Sequence, residues 1–293
     1  MKRSVTEVIR SGFDLMIANW PLLLLRIAEH VLIAMMAVAS IIAIIVPIAV
    51  SAGLGHFNLD TSGDFDPRAW LVGMLVQHWL LLVFILFIIT LVLIVFVALH
   101  SFVQGGCAQV YLDRVFSIDR FVAGGKRGWL PIFWIYNIAW LFAGVVLLIP
   151  ILPIPFLIVL TGESTGPIVL ACVLLALWAF FAVLVGLATA LWTMKAIVMA
   201  MTRNLDPRSA LAEARRAIRA EPGSHFAVGF IMFVIWFGGA ALIGTMSGVM
   251  SIGHATPLAL ITAPLQIVIS LINAVFSSAL ESWFLASFIS MES

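Results

Sequence analysis

Arg26, Glu29 and His30 are the residues of this chain whose types and spacing come closest to carrying chemistry. They stand at positions i, i+3 and i+4 of an apolar run, so a helix places them on one face. Glu281 falls at a similar depth in the last apolar run. Charged side chains inside a bilayer are costly and usually mark function or pairing. The spacing predicts an intramembrane polar cluster of these residues that closes the cytoplasmic side of a helix bundle. Plain ion pairing, or extension of Arg26 toward the headgroups, is the structural alternative.

Catalytic and metal-binding motifs are missing from the sequence. A haem bundle needs two histidines at matching depth on facing helices, whereas His30, His78 and His100 fall at different depths. Cys107 and Cys172 match no metal or redox spacing, and we expect no disulfide between them. We find no nucleotide-binding loop, no serine nucleophile elbow and no zinc-protease motif. The sequence therefore predicts no catalytic residues, no cofactor and no metal.

Composition places the chain in a membrane. Its residues are 63% hydrophobic and 10% charged, against about 45–50% and about 25% in soluble domains. Each long apolar run exceeds the roughly 20 residues that a transmembrane helix needs. We predict an all-α integral membrane protein with six transmembrane helices and no separate soluble domain. In the third run Pro150 and the prolines after it should end the regular helix near Ile149. The runs are residues 21–52, 70–103, 129–160, 167–201, 226–252 and 257–289.

The distribution of basic residues predicts the orientation. Of the 15 Lys and Arg residues, every one except Arg68 lies in the N-terminal region, in residues 104–128 or in residues 195–224. The opposite loops carry the acidic residues Asp60, Asp64, Asp66 and Glu163. Short basic loops stay in the cytoplasm during insertion. We therefore expect both termini to be cytoplasmic, in a bacterial inner membrane.

Three segments of the basic side look alike. They begin at the helix-capping residues Ser4, Ser117 and Asp206, continue as a short mixed helix, and break at Gly, Asn or Pro before an aromatic residue. Gly105-Gly106 and Gly124-Gly125 are interpreted as breaks flanked by basic residues, either plain turns or a cradle for a phosphate. A pair of apolar runs follows each segment, which predicts a threefold repeat in a single membrane domain. The repeats would cover about 4–103, 104–201 and 202–293.

The three segments are predicted to form interfacial amphipathic helices that contact lipid. In the third segment arginines share a face beside an alanine-rich apolar strip, as expected for a helix in the headgroup layer. A cytoplasmic helix packed on its neighbours, with a solvated charged face, is equally compatible with this pattern. The first segment has a larger apolar strip, which includes Val8, Phe13 and Met16, and should lie on lipid. The candidate contacts for anionic headgroups are Arg114, Lys126, Arg127, Arg208, Arg215 and Arg219.

Small residues recur every four positions along the last run, at Ser270, Ala274, Ser278 and Ser282. Such a stripe lets helix backbones approach closely. It predicts helix packing inside the chain, with contacts in a homo-oligomer as the alternative.

The order of capped basic helix, break, aromatic residue and long hairpin resembles that of bacterial six-span proteins. The nearest groups are the YciC-like proteins and the stand-alone relatives of the glycerophosphoryl diester phosphodiesterase membrane domain. The resemblance implies an inner-membrane protein, and no phosphodiesterase activity because that catalytic domain is absent. We expect a non-enzymatic structural or accessory protein that organises anionic lipid or a membrane complex. A transporter or channel for a small solute or lipid is the alternative. Nucleic acid is excluded as a partner, since Asp and Glu balance the arginines locally.

Overall fold

The computed structural model describes residues 3–53, 79–151, 165–253 and 259–292. These residues are almost entirely helical and contain no strand. The helices are α1 (Val5–Ala18), α2 (Pro21–Gly53), α3 (Trp79–Asp113), α4 (Ile118–Ile151), α5 (Thr165–Arg203), α6 (Pro207–Ala220), α7 (Pro222–Gly253) and α8 (Ala259–Glu292).

Six of the described helices, α2, α3, α4, α5, α7 and α8, are long and apolar enough to cross a membrane. Each predicted apolar run overlaps one of them. The predicted all-α class with six spans is therefore confirmed, and the chain is a multi-pass membrane protein. The third of these helices includes Pro150 and reaches Ile151, the last residue described before the gap, so the predicted end near Ile149 stays a prediction. The acidic residues of the opposite loops, Arg68, His78 and His254 lie outside the described residues.

The two short helices, α1 and α6, begin at the predicted capping residues. Ser4 forms a capping box with Glu7, whose carboxylate accepts a hydrogen bond from the Ser4 amide at 2.8 Å. Hydrogen bonds from the Ser4 backbone and side chain lower the pKa of Glu7. Asp206 accepts hydrogen bonds from the amides of Arg208 and Ser209 at the start of α6. These bonds satisfy amides that a helix leaves free at its first turn.

The predicted breaks at the glycine pairs are wrong. α4 continues without interruption through Gly124 and Gly125, so the second basic segment forms no separate interfacial helix. Gly105 and Gly106 lie inside α3. A Cβ on Gly105 would lie 2.9 Å from the carbonyl oxygen of Gly124 and 3.2 Å from the Cα of Gly128. The glycines therefore allow the backbones of α3 and α4 to touch, which is a packing role.

Contacts divide the chain into two compact units. The first comprises Met1–Ile27 and Ser101–Ser293, and the second Ala28–His100. The core of the first unit includes the last turns of α3, α5 and α8, which contribute Tyr111, Ile197 and Leu285, and α4, which contributes Ile132. Many large apolar side chains of the six long helices remain exposed, as expected where a helix faces lipid.

α1 packs on α8 inside the first unit. The indole nitrogen of Trp283 donates to the carbonyl of Ile9 at 2.9 Å, and Val8 and Met16 are buried. The expectation that this apolar strip lies on lipid is therefore wrong for Val8 and Met16, because both are buried inside the protein. Phe13 stays exposed beside its edge-on contact with Trp283.

The small residues of the stripe on α8 differ in how deeply they are buried. Ser278 and Ser282 are fully buried, Ala274 is half-buried and Ser270 is exposed. The buried part of the stripe thus lies within the first unit. Cys172 is exposed, whereas Cys107 is buried, and both are free thiols.

Candidate functional sites

Arg26 is the centre of a buried polar cluster in the first unit. Its side chain is 0% exposed, and its Nη1 donates to Glu281 Oε2 at 3.0 Å. Its Nη2 donates to the side-chain oxygen of Gln104, whose own Nε2 lies 3.6 Å from Met194 Sδ. The planar guanidinium thus binds a carboxylate and an amide at once, as its fixed fork of donors allows. The structure brings Arg26 and Glu281 together and adds Gln104.

Glu29 forms a second polar contact, within the second unit. Its Oε1 lies 2.7 Å from Nδ1 of His100, and the His100 ring stacks on Phe96. The pair is ionic when the imidazole is protonated. His30 is half-buried. Of the four residues predicted as one cluster, Arg26 thus contacts Glu281 and Glu29 contacts His100. The partners Gln104 and His100 were missed, although both are polar residues spaced i, i+4 near the end of an apolar run.

A chain of ion pairs links α5, α6 and α8. Lys195 is buried and donates to Glu292, whose other carboxylate oxygen lies 3.7 Å from Arg203. Arg203 also pairs with Glu213 of α6 at 3.0 Å. A buried ammonium is stable only with a partner. Glu292 therefore neutralises Lys195 and joins the ends of α5 and α8.

α6 packs on its neighbours and leaves its arginines on the outside. Ala210, Leu211 and Ala214 are buried, and the indole nitrogen of Trp192 donates to the carbonyl of Leu211 at 2.8 Å. This is the packed arrangement that was left open beside the headgroup-layer interpretation. Both interpretations share the exposed basic face.

A groove of about 450 Å³ lies along this basic face. Its apolar wall includes Ile138, Trp192 and Leu211. Within the described part of the chain, Arg208, Arg215 and Arg219 form no ion pair, while Arg216 lies 3.2 Å from Glu213. We call this feature the arginine groove. It is lined by Arg208, Arg215, Arg216 and Arg219.

The other basic residues predicted to contact lipid lie elsewhere. Arg127 donates to the carbonyl of Met201 at 2.6 Å, which ties α4 to α5. Lys126 is exposed. Arg114 lines a separate charged cavity of about 260 Å³, where α3, α5 and α8 end beside α1. Only Arg208, Arg215 and Arg219 of the predicted set share a groove.

An apolar cleft of about 440 Å³ lies on the other side of α5. At 100° per residue Ala190 and Trp192 point in opposite directions, so the cleft and the arginine groove are on opposite faces of α5. The wall includes Trp140, Gly186, Ala190, Phe233, Trp236 and Glu281. Glu281 is the charged residue of this wall, and its side chain is 39% exposed.

Among the described residues, no group of three or more His, Cys, Asp or Glu is placed to hold a metal ion. His225 binds the carbonyl of Glu221 through Nδ1 at 2.8 Å. Comparison with protein-family models, curated proteins and solved structures finds no match for this chain. The resemblance to the six-span groups and the threefold repeat stay predictions.

Proposed function

We propose that this chain is a non-enzymatic membrane protein that binds anionic lipid in the arginine groove and thereby organises lipid or a membrane complex. The observation that carries the proposal is a groove in which three arginines have no ion-pair partner among the described residues. A guanidinium binds a phosphate through two parallel hydrogen bonds. The apolar wall beside them suits the first carbons of an acyl chain.

The groove has the right surroundings for a lipid headgroup. α6 follows directly on α5, a membrane-spanning helix, so its arginines lie near the end of a span. Trp192 supplies an amphipathic ring of the kind found at membrane interfaces. Each basic residue near an anionic membrane surface contributes about 1 kcal/mol to binding.

Binding of labelled phosphatidylglycerol to the purified full chain in a neutral detergent tests the proposal. Arg215→Gln with Arg219→Gln removes two charges from the groove. The affinity should fall by about 2 kcal/mol, or roughly 30-fold. Labelled phosphatidylcholine should bind weakly to both proteins, because its headgroup carries no net charge.

Arg10→Gln with Arg120→Gln is the matched control, since both residues are exposed and lie outside the groove. This variant has the same net charge as the groove variant. It should bind phosphatidylglycerol as the unmodified chain does. An equal loss in the two variants would show that general charge, and not the groove, attracts the lipid.

We further propose that α6 and both termini face the cytoplasm of a bacterial cell. The support is the concentration of Lys and Arg on one side of the spans. Arg120→Cys, in a chain that carries Cys172→Ser, should react with a membrane-impermeant maleimide only after the cells are opened. Reaction in intact cells would reverse the proposed orientation.

A transporter for a small solute or lipid is the second candidate function. The apolar cleft favours it, because a partly exposed carboxylate within a membrane-spanning helix is costly and often marks a transport pathway. Vesicles that contain the purified protein and a fluorescent lipid would show exchange between leaflets. Exchange that Glu281→Gln abolishes, at unchanged phosphatidylglycerol binding, would favour transport over organisation.

A further inference from the structure

The charged cavity at the ends of α3, α5 and α8 has both polar and apolar side chains in its lining. Its volume is about 260 Å³, below the roughly 300–1,000 Å³ of pockets for drug-sized ligands. The buried side chains of Tyr111 and Ser290 contribute to its wall. The cavity is therefore suited to a ligand the size of a lipid headgroup. Its polar lining includes Ser11, Asp14, Tyr111, Arg114, Thr202 and Glu292.

Asp14 and Arg114 carry opposite charges on the same cavity without contacting each other. Neither side chain forms an ion pair or hydrogen bond with any residue that the structure describes. Glu292, the other acid of the lining, already binds Lys195 and Arg203. One carboxylate and one guanidinium thus remain available to a ligand that lies between them.

The C-terminal ends of three helices also affect which charge the cavity favours. α3 ends at Asp113, α5 at Arg203 and α8 at Glu292, so three C-terminal ends border the cavity. The free carbonyl groups at such ends favour a positive charge. Asp14 and these helix ends therefore favour a positive charge in the cavity, while the carbonyl of Ser290 already accepts a hydrogen bond from Arg3 at 2.9 Å.

Arg114 provides the complementary site for an anion. It directly follows the end of α3 with a φ of 57°, a left-handed conformation that glycine or asparagine usually occupies. Arginine at this position carries a backbone cost, and its guanidinium lines the cavity. Such a group binds phosphate or carboxylate in a bidentate manner.

We propose that this cavity binds a small zwitterion whose primary ammonium contacts Asp14 and whose phosphate or carboxylate contacts Arg114. The phosphoethanolamine headgroup of a lipid and a free compound of the same chemistry both fit this description. The inference is independent of the proposed function, because the arginine groove shares no lining residue with the cavity.

Thermal unfolding of the purified full chain, titrated with defined probes, tests the proposal. A ligand that binds only the folded state raises the Tm as its concentration increases. Glycerophosphoethanolamine and dihexanoyl phosphatidylethanolamine should both raise it. Glycerophosphocholine, whose quaternary ammonium donates no hydrogen bond, should bind at least tenfold more weakly, as should ethanolamine and glycerol phosphate alone.

Two variants remove the charges of the cavity with little risk to folding. Asp14→Asn keeps the shape of the side chain, and Arg114→Gly removes the guanidinium while relieving the left-handed backbone. Each should weaken glycerophosphoethanolamine binding about tenfold or more. Asp119→Asn and Arg10→Gln, at exposed positions outside the cavity, should leave it unchanged.

The titrations also separate the two sources of the ligand. Equal affinities for the soluble and the short-chain probe indicate a free compound, and much tighter binding of the short-chain lipid indicates a headgroup; either result supports the zwitterion site. Equal binding of Mg²⁺, ethanolamine or glycerophosphocholine would overturn it. Unchanged binding in Asp14→Asn and Arg114→Gly would overturn it as well. Failure of the groove experiment alone would leave this result intact.

Discussion

The contact between Arg26 and Glu281 makes an asymmetric prediction about stability. The Arg26 side chain is 0% exposed and that of Glu281 is 39% exposed, so their removal has different costs. Glu281→Leu removes the carboxylate that the buried guanidinium of Arg26 binds and keeps its hydrogen bond to Gln104. Removal of one partner of a buried pair costs about 3–5 kcal/mol, because the other charge stays desolvated. We expect this loss for Glu281→Leu.

Removal of the arginine should cost less. Arg26→Met takes away the buried charge and leaves the oxygen of Gln104 without that donor, at a cost of about 1–3 kcal/mol. The remaining carboxylate is partly exposed and hence less desolvated. The double variant Arg26→Met/Glu281→Leu removes both charges and keeps the Gln104 defect. It should therefore be more stable than Glu281→Leu by about 2 kcal/mol. This value is the difference between the centres of the two ranges, about 3–5 kcal/mol for Glu281→Leu and about 1–3 kcal/mol for the Gln104 defect.

Unfolding by sodium dodecyl sulfate in mixed micelles, followed by far-UV circular dichroism, measures these differences. Arg120→Met is the control, because the Arg120–Asp113 pair at 3.6 Å is exposed. Its loss should cost at most about 1 kcal/mol. The reasoning fails if Glu281→Leu is as stable as the control, or if the two single losses simply add in the double variant. Additive losses would mean that Arg26 does not depend on Glu281.

Two further predictions concern packing and pH. Gly105→Ala should destabilise the fold by about 1–3 kcal/mol, because the new Cβ would lie 2.9 Å from the Gly124 carbonyl oxygen. Gly144→Ala in α4, where a Cβ meets nothing within 4 Å, should be neutral or stabilising in the same unfolding assay; equal losses would contradict the α3–α4 contact. The side-chain and backbone hydrogen bonds of Ser209 lower the pKa of Asp206 from 3.8. Because folding lowers the pKa of Asp206, the ionised Asp206 cap stabilises α6 fully at pH values above 3.8. This stabilisation is lost as the pH falls through the pKa that Asp206 has in the folded state. In Asp206→Asn the free energy of unfolding should depend less steeply on pH in the acid range. An unchanged pH dependence would show that protonation of Asp206 does not affect stability.

The six membrane-spanning helices and the two capped helices follow from local sequence. Twenty or more apolar residues in succession need a bilayer whatever their neighbours are, so the spans could be predicted from composition alone. The caps at Ser4 and Asp206 act within four residues of chain, and their prediction needs no tertiary information. The side of the spans on which Lys and Arg concentrate can likewise be predicted, since charge and loop length are properties of the sequence.

The tertiary structure decided which residues meet. Glycine pairs occur both in helix breaks and in close helix crossings, and only the approach of α3 to α4 showed that Gly105 and Gly124 belong to a crossing. Arg26, Glu29 and His30 share a helical face in sequence, but the partners Glu281 of Arg26 and His100 of Glu29 come from other helices. The basic residues are equivalent in sequence, yet packing of α6 on α5 groups three of the predicted ones in one groove and leaves Arg114 beside Asp14. The physical reason is that hydrophobic length and capping are local, whereas ion pairs and cavities depend on how separate helices pack.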